Sequence, residues 1–217
     1  MRLIQTHDDL AEGRAHLAAA CPVWARTLPD LDLPLRRRSD GFGAILEAVL
    51  GQQISVARAQ SMMARLQAAG LIQPDAICAA GVEALRGCGL SGPKARYLTA
   101  IAAAQPDWPA LRAASDAEVV ATLTALPGIG PWTAEIYLAF ALGRADAFPT
   151  GDLALQEAAR LLYDLPARPD ARGLQQLAEP WRPWRGVAAR ALWAHYARAK
   201  GRQGVSSEDA GSQKTPP

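Results

Sequence analysis

Residues 126–134 read Leu126-Pro127-Gly128-Ile129-Gly130-Pro131-Trp132-Thr133-Ala134, and the rest of the chain can be read outward from this run. A helical stretch, VVATLTAL, stops at Leu126-Pro127, and two glycines turn the chain. Pro131 then suits the first turn of the next helix, WTAEIYLAFAL, where its missing N–H is not needed. Gly128 and Gly130 carry no Cβ, so their amides can approach a ligand closely and adopt positive φ. With the first amides of the following helix they form an anion nest at a helix N-terminus. A phosphate diester fits that nest without any lysine, and such a grip carries no base-sequence information. By itself, a glycine pair fits equally well a helical corner that binds nothing.

On either side of the hairpin, helical spacing recurs and strand-like alternation is hard to find. Residues 8–20 form a first helix. Asp40 is a candidate N-cap for GFGAILEAVL, whose Ile45, Leu46, Val49 and Leu50 share one stripe. Residues 55–69 repeat the pattern through Ala59, Met62, Met63 and Leu66. Short helices follow at 74–80 and 82–88, and Pro93 opens another. Ser115-x-x-Glu118 is a capping box ahead of VVATLTAL. Thr150-Gly151-Asp152 opens LALQEAARLLY, and the last helix covers about 185–200. The fold class is therefore all-α. Residues 1–200 are expected as one domain of two helical lobes, with the first and last helices as candidates for the same lobe. The Gly-, Ser- and Pro-rich stretch 201–217 is expected to be a disordered tail.

Composition excludes several function classes. Of 217 residues, 50% are apolar and 20% charged, the pattern of a soluble globular chain. No apolar run reaches the roughly 18–20 residues of a membrane span. The acidic opening MRLIQTHDDLAEGRAHL has no signal-peptide core, so a cytoplasmic location with no membrane partner is expected. Three cysteines (Cys21, Cys78, Cys88) and three histidines (His7, His16, His195) are too few and too scattered for a disulfide framework or a side-chain metal site. A net charge of +2 permits nucleic-acid binding without arguing for it.

Asp152, at the start of its helix, reads in isolation as an N-cap worth about 1 kcal/mol. Its neighbourhood changes that reading. The string Leu126 to Ala134 resembles the helix-hairpin-helix of a large superfamily of base-excision DNA glycosylases. In those proteins the hairpin amides bind a phosphate beside the lesion, the turn carbonyls can hold an alkali cation, and an essential aspartate follows about twenty positions later. Asp152 stands at the matching place. The resemblance covers roughly residues 40–197 and is closest to the 3-methyladenine DNA glycosylase II family. Gly51-Gln52-Gln53-Ile54-Ser55 matches its GQxxS segment, and Trp181-Arg182-Pro183-Trp184-Arg185 its WxPWR run.

Several roles follow from the resemblance. Asp152 is the catalytic carboxylate, since breaking an N-glycosidic bond builds positive charge on the deoxyribose and an acid nearby stabilises it. A helix N-terminus favours the negative charge. Gln52, Trp132, Tyr137 and Trp193 fall at pocket positions, Tyr137 standing beside Ile136, which replaces the family's pocket tyrosine. Gln53 falls where a side chain wedges into the gap left by the flipped base, although the best-known member has an apolar residue there. Gly128, Ile129, Gly130 and Thr133 belong to the DNA-binding hairpin. Lys94 and Arg96 are candidate phosphate contacts on the second strand, with plain solvated charge as the alternative. Trp24, Trp108, Trp181 and Trp184 are assigned to the core, Arg36-Arg37-Arg38 to the surface, Arg185 to a structural ion pair and Asp146 to a solvated loop.

Trp132 occupies the place of the lysine nucleophile of bifunctional members, so no Schiff base is expected. No cysteine follows Cys88, so no iron–sulfur cluster is expected. With only about forty residues ahead of the match, the family's additional N-terminal α/β domain is expected to be absent. The resemblance thus implies a monofunctional, cofactor-free hydrolase that excises alkylated bases such as 3-methyladenine and 7-methylguanine from double-stranded DNA, acting as a monomer. The rival readings are a non-catalytic helix-hairpin-helix DNA-binding protein and a bifunctional glycosylase/lyase.

Overall fold

A computed structural model describes residues 1–201; apart from Gly201, the expected tail over 201–217 lies outside the described residues. The described chain is all-α as expected, with a single isolated bridge between Leu3 and Arg144. In chain order the helices are α1 (His7–Ala20), α2 (Pro22–Thr27), α3 (Phe42–Gly51), α4 (Val56–Ala68), α5 (Pro74–Gly87) and α6 (Gly92–Ala104). They continue as α7 (Trp108–Ala113), α8 (Asp116–Thr124), α9 (Pro131–Ile136), α10 (Leu153–Leu162), α11 (Ala171–Ala178) and α12 (Arg185–Ala199). Among the described residues no helix is long and apolar enough to cross a membrane.

The chain divides into two compact units, the first built from Met1–Arg37 and Gly143–Pro217, the second from Arg38–Leu142. The first unit brings the two ends of the described chain together. Its core runs from Ile4, Leu10 and Leu17 through Trp24 to Trp181, Trp184, Val187 and Leu192, all buried. α1 lies close against α12 because Gly13 has no side chain, and a Cβ there would stand 2.5 Å from the Val187 side chain. Aromatic rings fill the centre: Trp181 meets Trp24 edge-on at 5.3 Å between centroids and stacks on Tyr163 at 6.0 Å. Truncating one such ring to alanine costs about 3–5 kcal/mol. α1 starts as its sequence dictates, with Thr6 and Asp9 closing a capping box. Asp146, expected as a solvated loop residue, is instead the centre of an ion-pair cluster. Arg185 grips it with two 2.8 Å hydrogen bonds, and Arg182 stands 3.1 Å away. Bidentate geometry of that kind is the favourable form of the pair.

The second unit holds α3 to α9. The stripe read on α3 is buried as expected, with Ile45, Leu46, Val49 and Leu50 at 1% exposure or less. Its start differs. Gly41, with φ +88, is the N-cap, and its amide donates to the Tyr137 hydroxyl at 3.0 Å. Asp40 faces Arg112 in a bidentate ion pair. A side chain paired with Arg112 from 72 residues away is taken from its own helix by tertiary structure, which local capping rules do not include. Ser115 and Glu118 close the expected capping box on α8, and the two short helices expected around residue 81 run together as α5 with a break at Gly81. Trp108, assigned to the core, is only half-buried at the start of α7 and tilts against Tyr137 at 6.1 Å.

Candidate functional site

In the second unit the two-glycine turn is built tightly. Gly128 has φ +79, and a Cβ there would sit 2.3 Å from the ring of Tyr97, which lies beneath the turn. Both the backbone angle and the contact demand glycine. Gly130 is the N-cap of α9, and Pro131 occupies the first turn. Neither glycine amide donates a hydrogen bond among the described residues. The first turn of α9 lacks intrahelical acceptors for its N–H groups, as at any helix start. The two glycine amides are thus left without an acceptor among the described residues.

Ile129 departs from the expectation of a DNA contact. Its side chain is buried, and its amide donates to the Leu126 carbonyl at 3.2 Å, so it anchors the turn. Thr133 is also buried, at 4% exposure, and packs inside the unit rather than standing at the surface. Tyr137 is 3% exposed, with its hydroxyl holding the Gly41 amide. It organises the start of α3, and with Ile136 and Ala141 it also lines a small cavity. Trp132 keeps 42% of its surface exposed, rare for an indole.

The Gln52–Gln53 turn follows α3. Gln52 donates through Nε2 to the Gly128 carbonyl at 3.0 Å, which ties this turn to the hairpin. That carbonyl was a candidate ligand for an alkali cation, and the bond occupies one of its two lone pairs. Gln53 is exposed and left-handed, with φ +57. A non-glycine residue there costs about 1–2 kcal/mol, and strain of this kind gathers at functional positions. Lys94 departs from both readings made of it. Its ammonium donates at 2.7 Å to the carbonyls of Leu50 and Gln52, so two of its three donors are committed inside the protein. Burial pushes its pKa down, with Arg58 adding to the effect.

Glu135, on α9, escaped sequence analysis. It is half-buried with no hydrogen-bond or ion-pair partner among the described residues, and burial pushes its carboxyl up to about 7. The folded protein thus keeps this proton between the usual value of 4.5 and about 7, where the unfolded chain has lost it. Stability contributed by the neutral acid is present at low pH and falls as pH rises through that window. The substitution Glu135→Gln is expected to stabilise the protein by about 1 kcal/mol at pH 8, well under the full shift because solvent screens a half-exposed group. That is about 2–4 °C in Tm, vanishing near pH 4. Thermal melts of both proteins across this range check it, and parallel curves would refute it.

In the first unit, Asp152 closes a turn in which its amide donates to the Pro149 carbonyl at 2.9 Å. The buried Gln156 side chain holds the Thr150 carbonyl at 2.9 Å. Asp152 is the N-cap of α10, as its position suggested: Oδ1 accepts from the amides of Ala154 and Leu155, each at 2.9 Å. The indole N–H of Trp193, on α12, donates to the same oxygen at 3.4 Å. A half-buried carboxylate at the positive end of a helix thus stands beside a half-buried indole. Leu153, next in the chain, is 62% exposed.

Residues 46–183 match the model of the HhH-GPD superfamily of base excision DNA repair proteins. The chain belongs to that superfamily. Among solved structures, this HhH-GPD chain is similar to a Schizosaccharomyces pombe 3-methyladenine DNA glycosylase in complex with abasic DNA. That match has a TM-score of 0.74 and 28% identity, covering 87% of this chain and 97% of that one. A Bacillus halodurans DNA-3-methyladenine glycosidase gives a TM-score of 0.73 at 28% identity, over 86% and 90% of the two chains. The Escherichia coli DNA-3-methyladenine glycosylase 2 is 29% identical over 168 residues, which is 71% of this chain and 57% of that protein. The matched stretch of this HhH-GPD chain contains both the turn at Gly128–Gly130 and Asp152.

Proposed function

We propose that this protein is a monofunctional DNA glycosylase that takes an alkylated base, 3-methyladenine or 7-methylguanine, out of duplex DNA and hydrolyses its glycosidic bond. The observation that carries this is the Asp152 carboxylate, fixed at a helix N-terminus with the Trp193 indole N–H on the same oxygen. Water adds to C1′ of the deoxyribose and loses a proton, while the bonding pair of the C1′–N bond leaves with the base. An N-alkylated purine is already cationic, so it departs as a neutral base without a general acid. The carboxylate stabilises the positive charge that develops on the sugar. Trp193 beside it supplies an electron-rich face suited to a cationic base, and the exposed Trp132 is the second aromatic candidate.

In the second unit, the amides of Gly128 and Gly130 grip a phosphate, and Gln53 fills the gap left by the extruded base. Double-stranded DNA with one damaged base is the partner, and the protein acts as a monomer without a cofactor. Trp132 in place of a lysine leaves no amine for a lyase step.

The test incubates the protein with methylated duplex DNA and identifies the released bases by chromatography. Release of 3-methyladenine and 7-methylguanine, leaving abasic sites on unbroken strands, is expected. A panel that adds ethenoadenine, hypoxanthine, 1-methyladenine and 3-methylcytosine defines the range. No released base at all refutes the reading, and borohydride trapping of a covalent protein–DNA adduct refutes the monofunctional mechanism.

A further inference from the structure

Lys94 stands where local rules disfavour it. It lies in the first turn of α6, the positive end of that helix, where an acid would be the favourable residue. Its charge is instead satisfied by another helix: the ammonium bonds the carbonyls of Leu50, in the last turn of α3, and Gln52 just beyond it, each at 2.7 Å. Those carbonyls lie at the negative end of α3 and have no acceptor role within it. One turn further along α6, Tyr97 packs directly beneath Gly128. The same face of α6 therefore supports two loops, the Gln52–Gln53 turn through Lys94 and the glycine hairpin through Tyr97. Between them, Gln52 Nε2 closes the triangle on the Gly128 carbonyl at 3.0 Å. Gln53, exposed at φ +57, is the residue this frame holds in an unfavourable conformation.

We infer that Lys94 is a positioning residue for base extrusion: its ammonium holds the Gln52–Gln53 turn in register with the phosphate-gripping hairpin, so that Gln53 is preset to enter the duplex. This role presupposes the excision reaction proposed above. An ordinary helix C-cap would make the same two hydrogen bonds, and the difference lies in what their loss does. A cap stabilises the fold and leaves every substrate equally affected. A device that presets the wedge matters only where a base must be levered from its stack.

The experiment compares Lys94→Met with the parent, well below either melting temperature, on methylated DNA in duplex and in single-stranded form under single-turnover conditions. The duplex rate is expected to fall at least ten-fold more than the single-strand rate. Hydrogen exchange at the amides of residues 51–54 is expected to quicken in the same variant without DNA, a readout independent of activity. Equal losses on the two substrates, or unchanged exchange, overturn the inference. A parent protein that releases no methylated base from either substrate refutes the glycosylase reading instead, while the exchange result still decides whether Lys94 orders the turn. Should Lys94→Met not fold, Lys94→Leu, which also removes both donors, carries the same comparison.

Discussion

Asp152→Asn is expected to slow release of a methylated base by about 100- to 1,000-fold while the protein keeps its fold. Losing one preorganised electrostatic contact to a developing charge costs about 2.7–4 kcal/mol of transition-state stabilisation. Asparagine is the informative replacement because it caps helices about as well as aspartate. Its Oδ1 can accept from the Ala154 and Leu155 amides as the carboxylate does, and from Trp193 too. What disappears is the negative charge alone. Single-turnover excision measured beside a thermal melt separates the two effects, and affinity for abasic DNA should be nearly unchanged. Asp152→Ala would confuse the picture by removing the cap as well, about 1 kcal/mol of stability. If the Asn variant excises as fast as the parent, the carboxylate is a cap and nothing more, and the chain is a DNA-binding member of its superfamily.

Gly128→Ala is expected to damage both the stability of the second unit and its grip on DNA. Two costs add. Alanine at φ +79 is a left-handed residue, which costs about 1–2 kcal/mol. Its Cβ would also lie 2.3 Å from the Tyr97 ring, well inside contact distance, so the ring or the turn must move. Overpacking of that kind costs about 1–3 kcal/mol. Together, about 3 kcal/mol corresponds to roughly 6–12 °C in Tm. Displacing the turn also disturbs the glycine amides, so affinity for duplex DNA should drop at least ten-fold even in the folded protein. Calorimetry and a binding titration at fixed salt check both parts. A second substitution, Tyr97→Ala, would relieve the overlap but leave the backbone penalty. Parent-like melting and binding in Gly128→Ala would show that the turn is a corner with no ligand.

Much of this was written in short-range chemistry. Ser115 and Glu118, Pro131 and Asp152 mark helix starts because capping acts between residues two or three apart, and each stands where that rule puts it. The hairpin is legible for the same reason, since proline and glycine restrict or free the backbone at their own positions. Helices α2, α7 and α11 have six to eight residues and escaped notice, because barely two turns give no periodicity to read. The side chains that support the candidate site were equally invisible. Lys94 reads as a phosphate contact or a solvated charge, Asp40 as a cap and Asp146 as a solvated acid.

The amino-acid sequence by itself determined the helical class of the described residues, the two-glycine turn, and an aspartate opening a helix after it. Each depends on dihedral preferences and hydrogen bonds that close within one helical turn. Only tertiary structure decided where Lys94, Tyr137 and Asp146 spend their polar atoms, since their partners lie 42 to 44, 96 and 39 positions away. It also set Tyr97 beneath Gly128 and the Trp193 indole on the Asp152 carboxylate, across a separation of 41 residues in the latter case. A buried charge or hydroxyl takes whichever partner packing brings within about 3 Å, and that choice is made by the assembled core, after local rules have had their say.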